Sequence, residues 1–215
     1  MKTQRITAVL ACAFLLTQAY SQNSRLTLET SALGSVPQHK FSVSTAYHTF
    51  LNFGEEKTNT HHYEFHFGYM LTPKDKIGIK VATWKLFATM GMPMKEQLKF
   101  SESNFYPGRL RESGIGVAYQ RMIWKGLFAS VEILPQLKIY SDENDKNIGK
   151  GFKLYTSYHL GYHISLFNNR MFIEPQIHCN YWPIDTNTPQ GFKEIDEVWN
   201  NYFLFEPNLH IGINF

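Results

Sequence analysis

Cysteine is nearly missing from this chain: in 215 residues only Cys12 and Cys179 carry a thiol. If the first segment is removed as argued below, Cys179 stands alone, which excludes an intramolecular disulfide and leaves a small apolar side chain. Long apolar runs are missing as well. Past Ser21 no stretch approaches the ~18 apolar residues of a membrane-spanning helix. A charge excess is also lacking. Without Lys2 and Arg5 the 21 basic residues fall to 19 against 18 acidic ones, so a nearly neutral chain offers no basic field to nucleic acid. No Gly-x-Ser-x-Gly nucleophile elbow occurs. Aromatic side chains are abundant instead, at 15% of residues.

Met1 to Ser21 begins with Lys2 and Arg5, runs through the apolar stretch Ile6 to Leu16 and reaches Ala19-Tyr20-Ser21. That order is expected of a secretory signal peptide over 1–21, cleaved ahead of Gln22. Val9-Leu10-Ala11-Cys12 has the outline of a lipoprotein box, but apolar residues continue beyond Cys12 and too few precede it. Residues 22–39 read as an N-terminal lead and 40–215 as one domain.

The final stretch, 198–215, shows how that domain is built. Phe203, Phe205, Pro207, Leu209, Ile211, Ile213 and Phe215 alternate with residues that from Glu206 onward are polar or Gly: Glu206, Asn208, His210, Gly212, Asn214. A period of two marks a strand with one apolar face. Seven earlier segments alternate in the same way: 40–51, 61–71, 76–87, 109–122, 127–140, 152–166 and 171–182. Their expected outward rows include Phe41, Val43, Thr45 and Tyr47 on the first and Tyr63, Phe65, Phe67 and Tyr69 on the second; Ser42, Ser44, Ala46 and His48 would face inward. Connections 72–75, 123–126 and 167–170 are short, whereas 52–60, 88–108, 141–151 and 183–197 are long, and the two kinds alternate without exception. A membrane barrel needs that alternation and a sandwich does not. Aromatics near strand ends (Trp84, Phe87, Trp124, Phe128, Tyr140, Trp182, Trp199, Tyr202) are expected to form interfacial girdles. The fold expected is all-β: an eight-stranded antiparallel up-and-down transmembrane β-barrel.

In its alternation, its turn lengths and its final Phe215, the chain resembles the small eight-stranded outer-membrane proteins of the OmpA and OmpX type, over 41–215. The resemblance is architectural and rests on no diagnostic motif. The Gln after the cleavage position and the Tyr/Phe-rich, Pro-containing strands resemble barrels of the Bacteroidota. The resemblance implies a bacterial outer membrane, outer-membrane lipids and lipopolysaccharide around the wall, a barrel-assembly machinery that reads Phe215, a monomer, and no nucleic-acid partner.

One pattern recurs: Val131-Glu132-Ile133-Leu134-Pro135-Gln136, Ile173-Glu174-Pro175-Gln176 and Phe205-Glu206-Pro207-Asn208. Each sets a Glu and an amide inward around an outward Pro, and because Pro removes a ladder hydrogen bond a bulge or weakening is expected at each. Hairpin duplication explains the recurrence more simply than a shared ligand site.

The inward rows carry many ionisable groups. A polar network is expected from Glu64, His66, Lys80, Glu132, Gln136, Lys138, Lys153, His159, His163, Glu174, Gln176, His178, Glu206, Asn208 and His210, with Glu112 and His48 beside them. A barrel of this size is just wide enough for side chains to fill, so enclosed charges must pair, with Glu132, Glu174 and Glu206 expected against Lys80, Lys138 or Lys153. Imidazoles and carboxylates also suit zinc or copper, but no tight spacing joins them; His159 and His163 lie too far apart along one strand face to chelate one ion easily. Ser157, His159, His163 and Ser165 are the groups a lipid-modifying barrel enzyme would use. The reading favoured is a barrel with a structural or surface-interaction role and a plugged polar lumen, with no catalytic centre, metal or cofactor. A narrow pore and a lipid A-modifying enzyme are the alternatives.

Overall fold

The computed structural model describes residues 39–50, 52, 61–97 and 104–215. The expected signal segment, nearly all of the lead, and parts of two long connections lie outside them. The elements are β1 (Phe41–Ala46), a 3-10 turn (Tyr47–Phe50), β2 (His61–Met70), β3 (Asp75–Ala88), α1 (Met94–Gln97), β4 (Phe105–Trp124), β5 (Leu127–Ser141), β6 (Asn147–Tyr162), β7 (Ile164–Leu166), β8 (Met171–Asp185), α2 (Gln190–Asp196) and β9 (Tyr202–Asn214). The chain is all-β and every pairing is antiparallel. Successive strands are neighbours, β1 pairs with β9 and β6 with β8, so the up-and-down sheet closes into a ring. β6 and β7 are two pieces of one expected strand, parted at His163, whose amide donates to the Gly126 carbonyl at 2.7 Å. Taken together they make eight.

Local chemistry fixes the short turns. Lys125 and Gly126 both have positive φ, 44° and 93°, which is the twist-matched two-residue hairpin between β4 and β5. In the β2–β3 turn the Thr72 hydroxyl accepts from the amides of Lys74 and Asp75 at 3.2 and 3.0 Å. The β1–β9 seam closes at the same end. Phe41 N donates to Phe215 O at 3.0 Å, Phe215 N donates to Phe41 O at 2.9 Å, and their rings stack at 6.0 Å.

Several sequence expectations need correction. The first strand stops at Ala46, because Thr45 Oγ1 bonds the Glu64 carbonyl at 2.5 Å and Thr49 Oγ1 at 2.8 Å, and side-chain bonds of this kind compete with the ladder. Tyr47 and His48 therefore leave the pleat. Elsewhere around the same end of the ring the strands are longer than expected: β4 begins at Phe105, β6 at Asn147, and β8 continues through Pro183 to Asp185. Pro183 is tolerated at a register shift, where Trp182 and Pro183 oppose Tyr155 alone.

The largest correction is at Phe203, expected outward and found buried. Phe205 has φ 59°, and Leu204 and Phe205 together oppose Cys179, so a bulge shifts the pleat by one residue and turns Phe203 inward. This bulge lies two residues from Pro207. Register runs unbroken through Pro175, and through Pro135 on its β6 side, although Ile115 and Gly116 drop out of the ladder on its β4 side. Nor do the strand-end aromatics form one girdle. Trp84, Phe87, Phe128, Tyr140 and Trp182 are buried inside the ring, Trp124 and Tyr202 are exposed, and Trp199 is half-buried. Strand parity is the reason for four of the five buried ones, as Trp84 shares the face of Lys80 and Tyr140 that of Lys138; Phe87 has the outward parity and sits at the register shift between Leu86 and Ala88.

Along β3 and β4 the polarity of the two faces exchanges, whereas the outward row of β5 stays apolar through Leu137 and Ile139. On β3 the outward row is Ile77, Ile79, Val81, then Thr83 and Lys85, while the inward row runs from Lys80 through Ala82 to Trp84 and Leu86. On β4, paired to it, the outward residues Tyr119, Val117 and Ile115 give way to Ser113 and Arg111, and the inward row passes from Gln120 to Leu110. Near the short turns the ring is polar inside and apolar outside. Toward the long connections it is apolar inside, around Trp84, Leu86, Leu110, Leu134, Tyr140, Tyr155 and Trp182, and Phe192 from α2 packs into that cluster from above.

Candidate functional site

The polar floor is assembled from facing strands. Glu64 on β2, Lys80 on β3 and Glu132 on β5 all point inward and are almost fully buried. Lys80 Nζ lies 2.8 Å from Glu132 Oε2 and 3.2 Å from Glu64 Oε2, so one ammonium bridges two carboxylates across the interior. Histidines surround this triad. His66 Nε2 is 3.3 Å from Glu64 Oε1 and its Nδ1 is 3.5 Å from Glu132 Oε1. His210 Nε2 lies 3.6 Å from Glu64 Oε1, His62 Nε2 3.3 Å from Glu64 Oε2, and His159 Nε2 3.7 Å from Glu132 Oε2. Ser42, Ser44 and Ala46 form the small inward row of β1, between β2 and β9, and that gap lets the His66 and His210 rings meet at 4.6 Å.

Three further groups complete the interior. Nearer the short turns, Glu174 takes a hydrogen bond with His163 Nδ1 at 2.8 Å, accepts from Gln120 Nε2 at 2.9 Å and has Lys76 Nζ at 3.5 Å. Beside the bulge, Glu206 accepts from Asn180 at 3.2 Å and bonds His178 Nε2 at 2.6 Å, and Asn180 in turn accepts from Ser157 at 2.6 Å. Toward the long connections Lys153 pairs with Glu112 at 2.5 Å, and Lys138 pairs with Asp185 and donates to Thr188 at 3.0 Å.

Of the expected pairings, Glu132 with Lys80 forms; Glu174 and Glu206 instead take histidine partners, with Lys76 beside Glu174. Lys138 and Lys153 find Asp185, which the alternation alone leaves in a connection because the pattern weakens at Pro183. Lys76 joins the interior too; it shares the parity of Lys80, the one signal in the sequence that points to it. The buried Gln136 amide and Gln176 Nε2 have no hydrogen-bond partner among the described residues, while Asn208 Nδ2 lies 3.3 Å from His210 Nε2. Both ring nitrogens of buried His159 are likewise without a hydrogen bond there. The serines considered for lipid chemistry are otherwise engaged: Ser157 donates to Asn180, and Ser165 donates to Asn169 at 2.9 Å.

Two spaces flank the floor. A pocket of about 40 Å³ lies toward the short turns, lined in part by Ser44, His66, Lys76, Glu174 and His210. On the other side is a cavity of about 640 Å³ whose base holds His62, Glu64, Lys80 and Glu206 and whose wall is Trp84, Tyr155, Trp182 and Phe203. Tyr155 stacks parallel to Trp182 at 6.2 Å and meets Trp84 edge-on at 5.1 Å. His48, in the 3-10 turn at this cavity, is pushed down to about 4 by burial and by the adjacent His62, so it remains neutral. A charged floor below an aromatic cup can hold a small polar or cationic guest, and its imidazole and carboxylate donors suit a metal ion. No protein-family model matches this chain, and no curated protein matches it.

Proposed function

We propose that this chain is a small integral outer-membrane β-barrel with a structural or surface-interaction role. Its apolar band sits in hydrocarbon, its lumen is closed by the Glu64–Lys80–Glu132 floor, and its aromatic cup faces the long connections on the outer side. The observation that carries this reading is the apolar exterior around a polar interior near the short turns. Around the lower ring, residues such as Ile79, Ile115, Val117, Leu160 and Ile177 are 51–66% exposed, an apolar belt far larger than soluble monomers tolerate. The eight steps from Asp75 to Thr83 rise ~20 Å at ~3.3 Å per residue and ~40° of tilt, close to the ~25 Å band of outer-membrane barrels. Ring closure satisfies the backbone with no free edge, the condition for strands in lipid. Exposed aromatics at the short-turn end (Phe41, Tyr69, Tyr119, Trp124, Tyr162, Phe215) suit one membrane interface.

The test is electrophoresis of detergent-extracted protein with and without boiling, followed by conductance in planar bilayers. A heat-modifiable all-β species that passes almost no current is expected. Protein that stays soluble without detergent would overturn the membrane reading, and a steady conductance would replace the plugged lumen with a narrow pore.

A further inference from the structure

We propose that Glu64, His66 and His210 form a binding site for a divalent first-row transition metal within the polar floor. The inference stands on the side-chain geometry of the floor and does not require the membrane reading.

Each residue supplies one ligand atom, and the three atoms lie within 4.8 Å of one another. Two of the three separations already match a metal site: 3.3 Å from Glu64 Oε1 to His66 Nε2, and 3.6 Å from Glu64 Oε1 to His210 Nε2. Four donors at ~2.0–2.1 Å around a tetrahedral zinc stand ~3.3–3.4 Å apart. Closing the third side needs only a small swing of two rings already in contact at 4.6 Å. The positions come from β2 and β9, which flank β1, so the short inward side chains of β1 make the site possible.

The surroundings are arranged for ligation. Glu132 Oε1 lies 3.5 Å from His66 Nδ1, so the tautomer protonated at Nδ1 points that proton at a carboxylate and leaves the Nε2 lone pair for the ion. Lys80 holds Glu64 by Oε2, leaving Oε1 for the ion. Asn208 Nδ2 faces His210 Nε2, which fits an unprotonated nitrogen there and an amide that turns aside when an ion arrives. The local charge is favourable: two carboxylates, Glu64 and Glu132, face one ammonium, Lys80, so neutral imidazoles leave the cluster at net −1 before a dication binds. Two imidazoles and one carboxylate favour zinc, copper, nickel or iron over calcium and magnesium, which seek all-oxygen shells. The two imidazoles line the pocket of about 40 Å³ on the short-turn side, and Glu64 and Asn208 line the cavity of about 640 Å³ on the other, so the site lies in the floor between the two spaces.

The experiment is titration of the chelator-stripped full chain in detergent with Co²⁺, read by visible absorption, followed by displacement with Zn²⁺. Heat-modifiability on the same samples reports folding and tests the barrel reading separately. The expected result is one Co²⁺ per chain with the intense bands of a four-coordinate site, bleached by one equivalent of Zn²⁺. His66→Gln and His210→Gln should each weaken binding by more than the ~10–100-fold typical of an outer-shell change, Glu132→Gln by about that range, and His61→Gln and His163→Gln not at all. If a ligand variant does not fold, the wild-type spectrum and the Glu132→Gln shift still decide. The proposal is overturned by weak six-coordinate absorption, by an absence of saturable binding, or by folded His66→Gln and His210→Gln variants that bind as the parent does.

Discussion

The two halves of the ring solve opposite problems with the same strands. Near the short turns the interior is a set of ion pairs around Lys80 and Glu174 and the exterior is Ile, Val, Phe and Tyr. Toward the long connections the interior is a cluster of aromatic and aliphatic side chains closed by Phe192, with the Lys153–Glu112 pair and Lys138 set among them, and the exterior carries Thr83, Lys85, Arg111 and Lys150 beside Leu137 and Ile139. The upper half is built like a water-soluble core. The lower half is its inverse, an arrangement that the proposed apolar surroundings would favour. Lys80 and Trp84 are four residues apart on one face of one strand and stand on either side of this exchange. The side chains on the opposite face, from Val81 to Lys85, change in the other sense.

Glu132→Ala tests the lower half most severely. It strands the Lys80 ammonium with Glu64 alone, and where water is excluded the loss should be ~3–5 kcal/mol in unfolding measurements on folded protein in detergent. A variant within ~1 kcal/mol of the parent would show that water reaches the floor and that the halves differ less than their packing implies. The boundary between them is tested from outside. Ile115→Lys should cost ~2–4 kcal/mol in a bilayer, but Ser113→Lys, two residues along the same outward row, only ~0–1 kcal/mol. Equal costs would erase the boundary. At the seam, Phe215→Asp removes the Phe41 stacking partner and sets a charge on the apolar rim, so it should lower the folded yield from membranes well below that of Asn187→Asp on a long connection. Matching yields would deny the rim its role.

The smallest expected effect is a pH dependence in the upper half. His48 has its folded value lowered to about 4, against 6.5 when unfolded, so its neutral form contributes stability that is complete above about pH 6.5 and is lost as pH falls toward 4. His62, Glu64, His178 and Glu206 surround it, so the readout is the difference between the parent and His48→Gln. The parent's melting temperature should fall more than the variant's between pH 7 and 5. Parallel curves would assign the pH response to the other groups.

Most of the alternation is legible without coordinates, since a period of two is local: Tyr63, Phe65, Phe67 and Tyr69 lie on one face and Glu64 and His66 on the other within a single strand of ten residues. Connection lengths also carry the order of the strands, because short turns at 72–75 and 123–126 force antiparallel neighbours. The positions that escape such reading are those where the pleat slips. Counting back from Phe215 in steps of two puts Phe203 outward, and one bulge at Phe205 reverses it. Four of the buried strand-end aromatics depart from expectation for a related reason: the type of a residue near a strand end suggests a girdle, but its parity decides which face it joins, and Phe87 escapes even that count because it sits at a register shift.

The sequence by itself determined that this is an all-β chain of alternating strands with a charged inward row, because strand periodicity and turn chemistry act over a few neighbouring residues. Only the tertiary structure decided which charges meet. Lys80 is 52 residues from Glu132, and Lys138 is 47 from Asp185, so their pairing depends on ring closure, register and bulges that no local pattern encodes. The same holds for the site at Glu64, His66 and His210. Its third ligand comes from the last strand, and the two histidines meet only because the ring closes on a first strand whose inward side chains are small.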